Sequence, residues 1–231
     1  MTDDTKIRFK FNKINEYKYL SHLEIVRLVI MAVSRAEINI RYSEGFSPNP
    51  KLNFSFPVPV GLASIAEYSD IDLLEKMDAS EFKKTLNLAL AENMRITDAK
   101  NISGKLPSLM GDIGFCEYVF IMDLKGKQLE SEIKDDIMSS QELSGSIHSL
   151  ELMPNGTSGD IVNLNLIGYT KIYTNNKIFK FNDFLKYFKY LSNKIDIVVE
   201  DYFKDEVYVL REGILKTPLD IVWPKEFVKI E

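Results

Sequence analysis

The chain has 231 residues, of which 45% are hydrophobic and 27% are charged, so it can bury a sizeable core. Its 11 tyrosines and 14 phenylalanines argue against disorder, and its single cysteine excludes an internal disulfide framework. No N-terminal segment joins a basic start to an apolar stretch, and no apolar run is long enough to span a bilayer. We therefore expect a soluble, cytoplasmic protein with no membrane partner.

The net charge of −5 is unevenly distributed along the chain. Residues 1–60 hold nine basic and six acidic residues, a net charge of +3, and the remaining residues carry −8. An anionic ligand is therefore expected to contact the first part of the chain rather than the second. Chance accounts for an excess of this size equally well, so the charge indicates a surface without establishing one.

The first half of the chain predicts a strand, a helix, further strands, a helix and a closing strand. Alternating apolar residues mark the first strand at 6–13. Ser21 and Glu24 form a capping-box pattern, so a helix is expected to begin after Ser21 and to end near Ala36. Its buried stripe is expected at Leu23, Val26, Ile30 and Val33. The later elements of this half are expected at 38–42, 52–60, 68–74, 78–93 and 96–102.

Two carboxylates, Asp70 and Asp72, alternate with apolar residues in the strand expected at 68–74. This spacing places both on one side of the strand. We expect both to point to solvent and to have no acid–base role.

The second half repeats the order of the first, which predicts the fold class. Its elements are expected at 115–124, 127–140, 147–153, 160–169, 182–193, 197–203 and 207–210. We therefore predict an α+β fold of two tandem ferredoxin-like β-α-β-β-α-β halves, each an antiparallel sheet with its helices on one face. Gly104, Pro107 and Gly111 mark the boundary, so the domains are expected at 1–105 and 112–231.

Several kinds of catalytic site are missing from the sequence. It has no C-x-x-C pair or cysteine triplet, no glycine-rich phosphate loop and no G-x-S-x-G elbow. The two histidines, His22 and His148, lie far apart and have no ligand-like neighbours in the sequence. The residues therefore predict no metal, no cofactor and no assigned catalytic residue.

The segment YSEGFSPNPK at 42–51, which we call the motif loop, carries the strongest signal for a binding site. Its glycine and prolines fix unusual backbone angles, and it contains a lysine suited to phosphate and two aromatic rings suited to stacking. The helix that precedes it adds a histidine and two arginines. The candidate ligand- or RNA-binding residues are His22, Arg27, Arg35, Tyr42, Ser43, Gly45, Phe46 and Lys51.

A structural interpretation stands beside each of these candidates. His22 at the first helical position can be a solvated or capping residue, and Arg27 can pair with Glu24 three residues before it. Gly45 can serve only to shape a tight connector, and Phe46 is expected to lie in the core. The aromatic residues from Phe179 to Tyr190 resemble a nucleic-acid stacking surface, but their helical spacing favours core packing.

Two strand arrangements place the motif loop differently. If 38–43 pairs with 52–56, the loop lies at the start of the first helix, against His22. If 52–58 pairs instead with 68–74, the loop follows the end of that helix, near Arg35. The prolines and the length of 52–60 favour the second arrangement without deciding between the two.

The segment YLSHLE at 19–24, Arg27, Arg35 and the motif loop resemble the radical-SAM-linked protein family, which carries a domain of unknown function numbered 2344. The resemblance covers about residues 6–75. In that family the loop usually reads GFNPHPK, whereas this chain has Ser47 and Asn49 where the family has Asn and His. A catalytic histidine in the loop is therefore in doubt. The resemblance implies a radical S-adenosylmethionine protein as the partner.

Three functions follow as expectations. The first is a non-catalytic accessory module that presents RNA or another anionic ligand to the radical-SAM partner. The second is a metal-independent RNA-processing endoribonuclease, by analogy of fold with CRISPR repeat nucleases, with His22 as general base. The third is a scaffold that holds a protein partner through exposed strand edges.

Overall fold

A computed structural model describes residues 5–104, 106–124, 130–154, 161–170, 177–194 and 197–221. Its contacts divide the chain into two compact units, Met1–Ile113 with Tyr208–Glu231, and Gly114–Val207. The fold is mixed α+β, and every strand pair with a described register is antiparallel. The domain limits at 105 and 112 stay a prediction.

The first unit contains a sheet in the order β4-β1-β3, with the short strand β2 also paired to β3. Strand β1 runs antiparallel to β3, from Lys6 opposite Asp72 to Lys13 opposite Ser64. The strands of this unit are β1 (Lys6–Lys13), β2 (Leu52–Phe54), β3 (Ala63–Asp72) and β4 (Ile96–Asn101). Its helices are α1 (His22–Arg35), α2 (Ala79–Ala89) and α3 (Leu109–Asp112).

The core of the first unit lies between helices α1 and α2 and one face of the sheet. From β1, the alternating residues Ile7, Phe9 and Phe11 contribute to it. The ring of Phe9 packs against Phe82 of α2, with 5.5 Å between centroids. This apolar packing fixes both helices on the sheet, since each buried side chain of this size contributes about 1.5–3 kcal/mol.

The buried stripe of α1 shares only Val33 with the predicted one. Its buried residues are Ile25, Val29, Ala32 and Val33, whereas Leu23 is 66% exposed. The capping box starts the helix where it was predicted, with Ser21 as the N-cap. Two overlapping rows of apolar residues run along this helix, one beginning at Leu23 and the other at Ile25. The row that begins at Ile25 and includes Ala32 packs against the core.

The side chain of Arg8 is fully buried on the opposite face of β1. Its Nε and Nη2 donate to the two carboxylate oxygens of Asp70, at 2.7 and 2.9 Å. Its Nη1 donates to the backbone oxygen of Pro218 at 3.1 Å. The expectation that Asp70 points to solvent is wrong, because the residues around Pro218 belong to the same unit and enclose the ion pair.

The carboxylate of Asp72 is also held, although it is only half-buried. It accepts a hydrogen bond from Thr5 Oγ1 at 3.2 Å, and its Oδ1 lies 3.6 Å from Arg41 Nε. The expectation that this carboxylate is only solvated is therefore wrong as well.

The C-terminal segment of the first unit is tied to it at further points. Arg211 Nη2 donates to both carboxylate oxygens of Asp112, each at 2.6 Å. Lys100 Nζ donates to the backbone oxygen of Leu219 at 3.1 Å. A short strand β9 (Ile214–Lys216) pairs with the end of the long strand β8 (Ile197–Arg211), which the sequence predicts as two strands.

The second unit has the same arrangement of neighbouring strands as the first. Its sheet follows the order β8-β5-β7-β6, and residues of β8 up to Val207 belong to this unit. The ring of Phe120 packs on Phe184 and Phe188, with centroid distances of 4.8 and 6.2 Å. The remaining elements are β5 (Phe115–Leu124), α4 (Glu130–Ser139), β6 (Ile147–Pro154), β7 (Ile161–Tyr169) and α5 (Phe181–Lys194).

Two predicted strands of the first unit are shorter than the sequence suggests. Residues 38–42 form only isolated bridges, at Ile40 opposite Leu73 and at Tyr42 opposite Pro50. The strand expected at 52–60 ends at Phe54, because Pro57 and Pro59 lack the N–H groups that a sheet requires. In the part of the chain that the structure describes, no helix has the length and apolar character to cross a bilayer.

We expect Asp70→Asn to lower the free energy of unfolding by about 3–5 kcal/mol, because it leaves the buried Arg8 guanidinium without its counter-charge. Urea denaturation measures this change. Lys186→Gln is the control, because it removes an ion pair that is exposed on both sides, and it should change stability by no more than about 0.5 kcal/mol. A loss below about 1 kcal/mol for Asp70→Asn would contradict this account.

Candidate functional site

The motif loop is closed by reciprocal bonds between Ser43 and Asn49. The N–H of Ser43 donates to the backbone oxygen of Asn49 at 2.8 Å, and the N–H of Asn49 donates to Ser43 Oγ at 2.9 Å. The amide of Asn49 also donates to the backbone oxygen of Ser47 at 3.1 Å. Asn49 therefore uses both its backbone and its side chain to hold the loop.

Gly45 and Phe46 form the outer part of the loop. Gly45 has φ +120°, in the range that residues with a Cβ rarely adopt. The side chain of Phe46 is fully exposed, and Tyr42 is 50% exposed. The expectation that Phe46 lies in the core is wrong, because the turn at Gly45 directs the chain away from the sheet.

The base of the loop is attached to the end of β3. The N–H of Lys51 donates to the backbone oxygen of Arg41, and its own carbonyl accepts from the N–H of Asp72, at 2.8 and 3.0 Å. The side chain of Arg41 donates to the backbone oxygen of Leu73 at 2.8 Å. Arg41 is thus committed to the loop's attachment, whereas the side chain of Lys51 is exposed.

The pairing that positions the loop is that of the second predicted arrangement, with Leu52 opposite Ile71 of β3. Among the contacts that the structure describes, however, none joins the motif loop to His22 or to Arg35. The loop meets β3 at Asp72, opposite the first residue of β1. His22 instead contacts Phe54 of β2, which lies three residues after Lys51 and therefore about 10 Å along the strand from the base of the loop.

His22 lies at the first position of α1 and is exposed. Its imidazole meets Phe54 edge-to-face, with 5.5 Å between ring centroids. It also lines a small cavity of about 10 Å³, near the least space that holds one water molecule. Two buried charged residues, Lys13 and Glu67, line the same cavity.

Lys13 and Glu67 are not among the site residues predicted from the sequence, although one signal in the sequence points to Lys13. Lys13 continues the alternation of Phe9 and Phe11, so it belongs to the core-facing side of β1. Glu67 lies directly opposite Phe11 in the neighbouring strand and therefore on the same face. A lysine in an otherwise apolar row can be recognised from sequence, but its nearness to His22 cannot.

The two candidate arginines of α1 lie apart from the motif loop. Arg27 is exposed, and its charge helps to lower the pKa of the Glu24 carboxyl. Arg35 Nη2 donates to the backbone oxygen of Ala89 at the end of α2, at 2.8 Å. The eight predicted residues are thus not brought together, since five lie in the motif loop while His22, Arg27 and Arg35 are spread along α1.

Glu24 closes the capping box at the start of α1. The hydroxyl of Ser21 donates to its carboxylate at 2.6 Å, and the N–H of Ser21 donates to the same oxygen at 2.7 Å. These two bonds hold the pKa of Glu24 below its usual value, and Arg27 lowers it further. The box fixes the first helical turn and with it the direction in which His22 leaves the helix.

Metal-binding geometry is absent from the described residues, in which no three His, Cys, Asp or Glu side chains are placed to share an ion. Cys116 is buried in β5. His148 meets Phe115 edge-to-face, with 5.0 Å between ring centroids.

Comparison with models of protein families gives a match. A family model described as an uncharacterized protein conserved in bacteria (DUF2344) matches residues 6–147, more than half of the chain. No curated protein matches the chain. The matched residues include the motif loop, helix α1 and all of β1–β5.

We expect Ser21→Ala to raise the pKa of Glu24 part of the way towards its ordinary value, because it removes the hydroxyl bond, which lowers that pKa most, and leaves the backbone N–H of residue 21 in place. The lowered pKa means that Glu24 contributes stability above its unfolded pKa of about 4.3, and that this contribution is lost as the pH falls through the folded pKa. An NMR titration of the Glu24 side chain measures the shift.

The control for this titration is Ser34→Ala, which removes an exposed hydroxyl from the same helix and should leave the pKa of Glu24 unchanged. Loss of the N-cap should also destabilise α1 by about 1 kcal/mol. An unchanged Glu24 titration in Ser21→Ala would contradict the assigned bonds.

Proposed function

The chain belongs to the DUF2344 family of uncharacterized bacterial proteins, and we propose that it is a non-catalytic accessory module. In this proposal the module binds RNA through the motif loop. A radical S-adenosylmethionine protein is the proposed partner that receives the RNA. This part of the proposal comes from the resemblance of the YLSHLE segment and the motif loop to radical-SAM-linked proteins. A cytoplasmic location belongs to the same proposal.

The observation that carries the proposal is the full exposure of Phe46 at the tip of a constrained loop. Exposing a phenylalanine forgoes the roughly 1.5–3 kcal/mol that its burial contributes to folding. A ring in this position offers both faces to a nucleotide base, and every base has a π-face to stack on it. Tyr42, which is half exposed, provides a second ring at the start of the loop.

The positive group next to these rings is Lys51. It is exposed, and only its backbone takes part in attaching the loop to β3. Its ammonium group is therefore available for a phosphate, which lysine binds as a point charge. Glu44 lies in the same loop and is exposed too, so the loop favours an RNA that presents a base to Phe46 over one that offers phosphates alone.

The loop also needs little ordering when it binds. The Ser43–Asn49 pair closes it, and Gly45 supplies the one backbone angle that other residues would resist. A loop held in this way loses less conformational entropy on binding than a free segment would. This rigidity supports a role in recognition. The loop also carries no side chain suited to proton transfer near neutral pH, which supports a role other than catalysis.

The finer fold is part of the proposal. We infer that each unit is a ferredoxin-like half, because both place their four main strands in the order fourth, first, third, second. In the first unit the two helices between these strands pack on one face of the sheet. This pattern supports the assignment for the first unit more fully than for the second.

We expect Phe46→Ala to weaken RNA binding by about fivefold or more, the effect of losing one stacked base. Lys51→Gln should lower the slope of log affinity against log salt by about 0.7, since one phosphate contact is lost. RNA retained by the purified protein is quantified first, and affinity is then measured with oligonucleotides cut from that RNA.

Leu88→Ala serves as the control for Phe46→Ala, since Leu88 is an 85% exposed apolar side chain outside the loop. Equal affinity of the two variants would overturn the role of Phe46. If RNA retention is unchanged in Phe46→Ala while retention of the radical-SAM protein is lost, the loop is a protein-docking site and the scaffold function replaces this one.

A second function is favoured by one observation, the presence of His22 beside buried Lys13 and Glu67. A histidine, a lysine and a carboxylate around one cavity are the groups that general acid–base cleavage of RNA uses without a metal. This endoribonuclease would act at the start of α1, away from the motif loop.

The test is cleavage of cellular RNA in the presence of a chelator by wild type, His22→Ala and His148→Ala. If the chain is an endoribonuclease, His22→Ala should lose at least about a hundredfold in rate, whereas His148→Ala should retain activity. Absence of cleavage by all three proteins removes the enzyme and agrees with the accessory module.

A further inference from the structure

We propose that helix α5 and the residues just before it form a binding surface for single-stranded RNA in the second unit. We call it the α5 surface, and it consists of Lys177, Lys180, Lys186, Lys189 and Tyr190. It goes beyond the proposed function, which assigns RNA contacts to the motif loop. This inference rests on the proposed function only for the class of ligand, which is RNA.

The charge of this segment differs sharply from that of the whole chain. Residues 177–194 contain five lysines and one aspartate, a net charge of +4, while the chain as a whole carries −5. The remainder therefore carries −9. The segment exceeds the +3 of residues 1–60 in less than a third of their length. A positive field this local attracts a polyanion to one surface of an acidic protein.

Three of the lysines, Lys177, Lys180 and Lys186, line a cavity of about 660 Å³. This volume lies in the range of ligand sites. Glu142 and Asp183 line it as well, so positive charge exceeds negative by one. Asp183 lies 3.6 Å from Lys186, with both side chains more than half exposed, and such a pair exchanges readily for a phosphate.

The fourth lysine extends the surface along the helix. Lys189 is exposed and lies nine residues after Lys180, which places the two about 14 Å apart along the helix axis. It also borders a second cavity, of about 390 Å³. The lysines therefore follow the helix rather than meeting at one point, as contacts to a strand of successive phosphates require.

A tyrosine pair supplies a stacking platform beside these lysines. Tyr190 is 63% exposed, and its ring centroid lies 6.3 Å from that of Tyr187. The hydroxyl of Tyr187 donates to the backbone oxygen and to the carboxylate of Asp136, at 3.0 and 3.2 Å. Burial and the Asp136 charge raise the pKa of Tyr187, so it stays neutral. Tyr187 thus braces the ring on which a base would stack.

The outward side of α5 favours RNA over a membrane surface. The phenylalanines of this region, Phe179, Phe181, Phe184 and Phe188, are all buried. Within the described residues of α5, Tyr190 is the one exposed large apolar side chain. A helix that inserts into a bilayer needs an exposed apolar face, which α5 does not present. Single-stranded RNA needs cations and an aromatic ring, and α5 presents both.

The first experiment compares two triple variants by fluorescence anisotropy with a labelled oligouridylate over a range of salt concentrations. The test variant is K180Q/K186Q/K189Q. The matched control, K76Q/K84Q/K134Q, changes the net charge equally by replacing three exposed lysines on other elements. The test variant should bind at least about tenfold more weakly, with a salt slope lower by about 2, and the control should stay within about threefold of wild type.

The second experiment addresses the aromatic contact. Tyr190→Ala should weaken binding about fivefold or more, and Tyr190→Phe should restore it, since stacking needs the ring and not the hydroxyl. Tyr19→Ala removes an equally exposed tyrosine from the first unit and should leave affinity unchanged. Equal affinities for wild type, the test variant and the control, or equal losses in the two triple variants, would overturn the proposal.

Crosslinking with a thiouridine-containing oligouridylate, followed by peptide mapping, separates this inference from the proposed function. Crosslinks on peptides of 177–194 support the α5 surface whether or not the motif loop is also labelled. Crosslinks confined to 42–51 overturn the α5 surface and leave the proposed function standing. No crosslinks at all, or capture of acidic lipid vesicles in place of RNA, overturn the α5 surface.

Discussion

The buried guanidinium of Arg8 is the constraint on which the first unit depends. A side chain with five donors and a fixed charge has to find all its partners where it lies, because water does not reach it. Its two partners are Asp70, from the neighbouring strand, and the carbonyl of Pro218, far along the chain. The apolar face of the same sheet tolerates substitutions of similar volume. The ion pair does not tolerate the loss of one member, because the other charge is then buried without a partner. It therefore fixes β1, β3 and the C-terminal segment in one arrangement.

The attachment of the motif loop follows from that arrangement. Because β3 is held in register against β1, its end at Asp72 is a fixed point, and Lys51 bonds to its backbone there. The loop can then project an exposed ring while its base stays rigid. His22 belongs to a different place, a small cavity that it lines with Phe54, Lys13 and Glu67. Residues that form one motif in sequence thus divide between a loop surface and a small cavity.

The sequence predicts best where the physics is local. The capping box of Ser21 and Glu24 needs only four residues, and the structure confirms it. The ends of β5 are also as predicted. Predictions fail where distant partners decide: Asp70 is enclosed by a segment about 150 residues later, and Phe46 is directed outwards by a turn whose direction depends on the attachment to β3. Helix α5 gives an example of each outcome. Helical spacing correctly predicts that its phenylalanines are buried, but it does not predict a binding role for the exposed lysines and Tyr190 between them.

The division of strand β8 has a consequence for biosynthesis. Its first residues complete the second unit, and from Tyr208 onwards the chain returns to the first. In sequence the second unit is thus inserted within the first, and the first lacks the carbonyl that Arg8 requires until Pro218 has left the ribosome. The nascent chain can complete the inserted unit before the unit that encloses it, the reverse of the usual N-terminal-first order. A premature stop codon near Val207 would therefore leave the second unit complete and the first unit without its C-terminal segment.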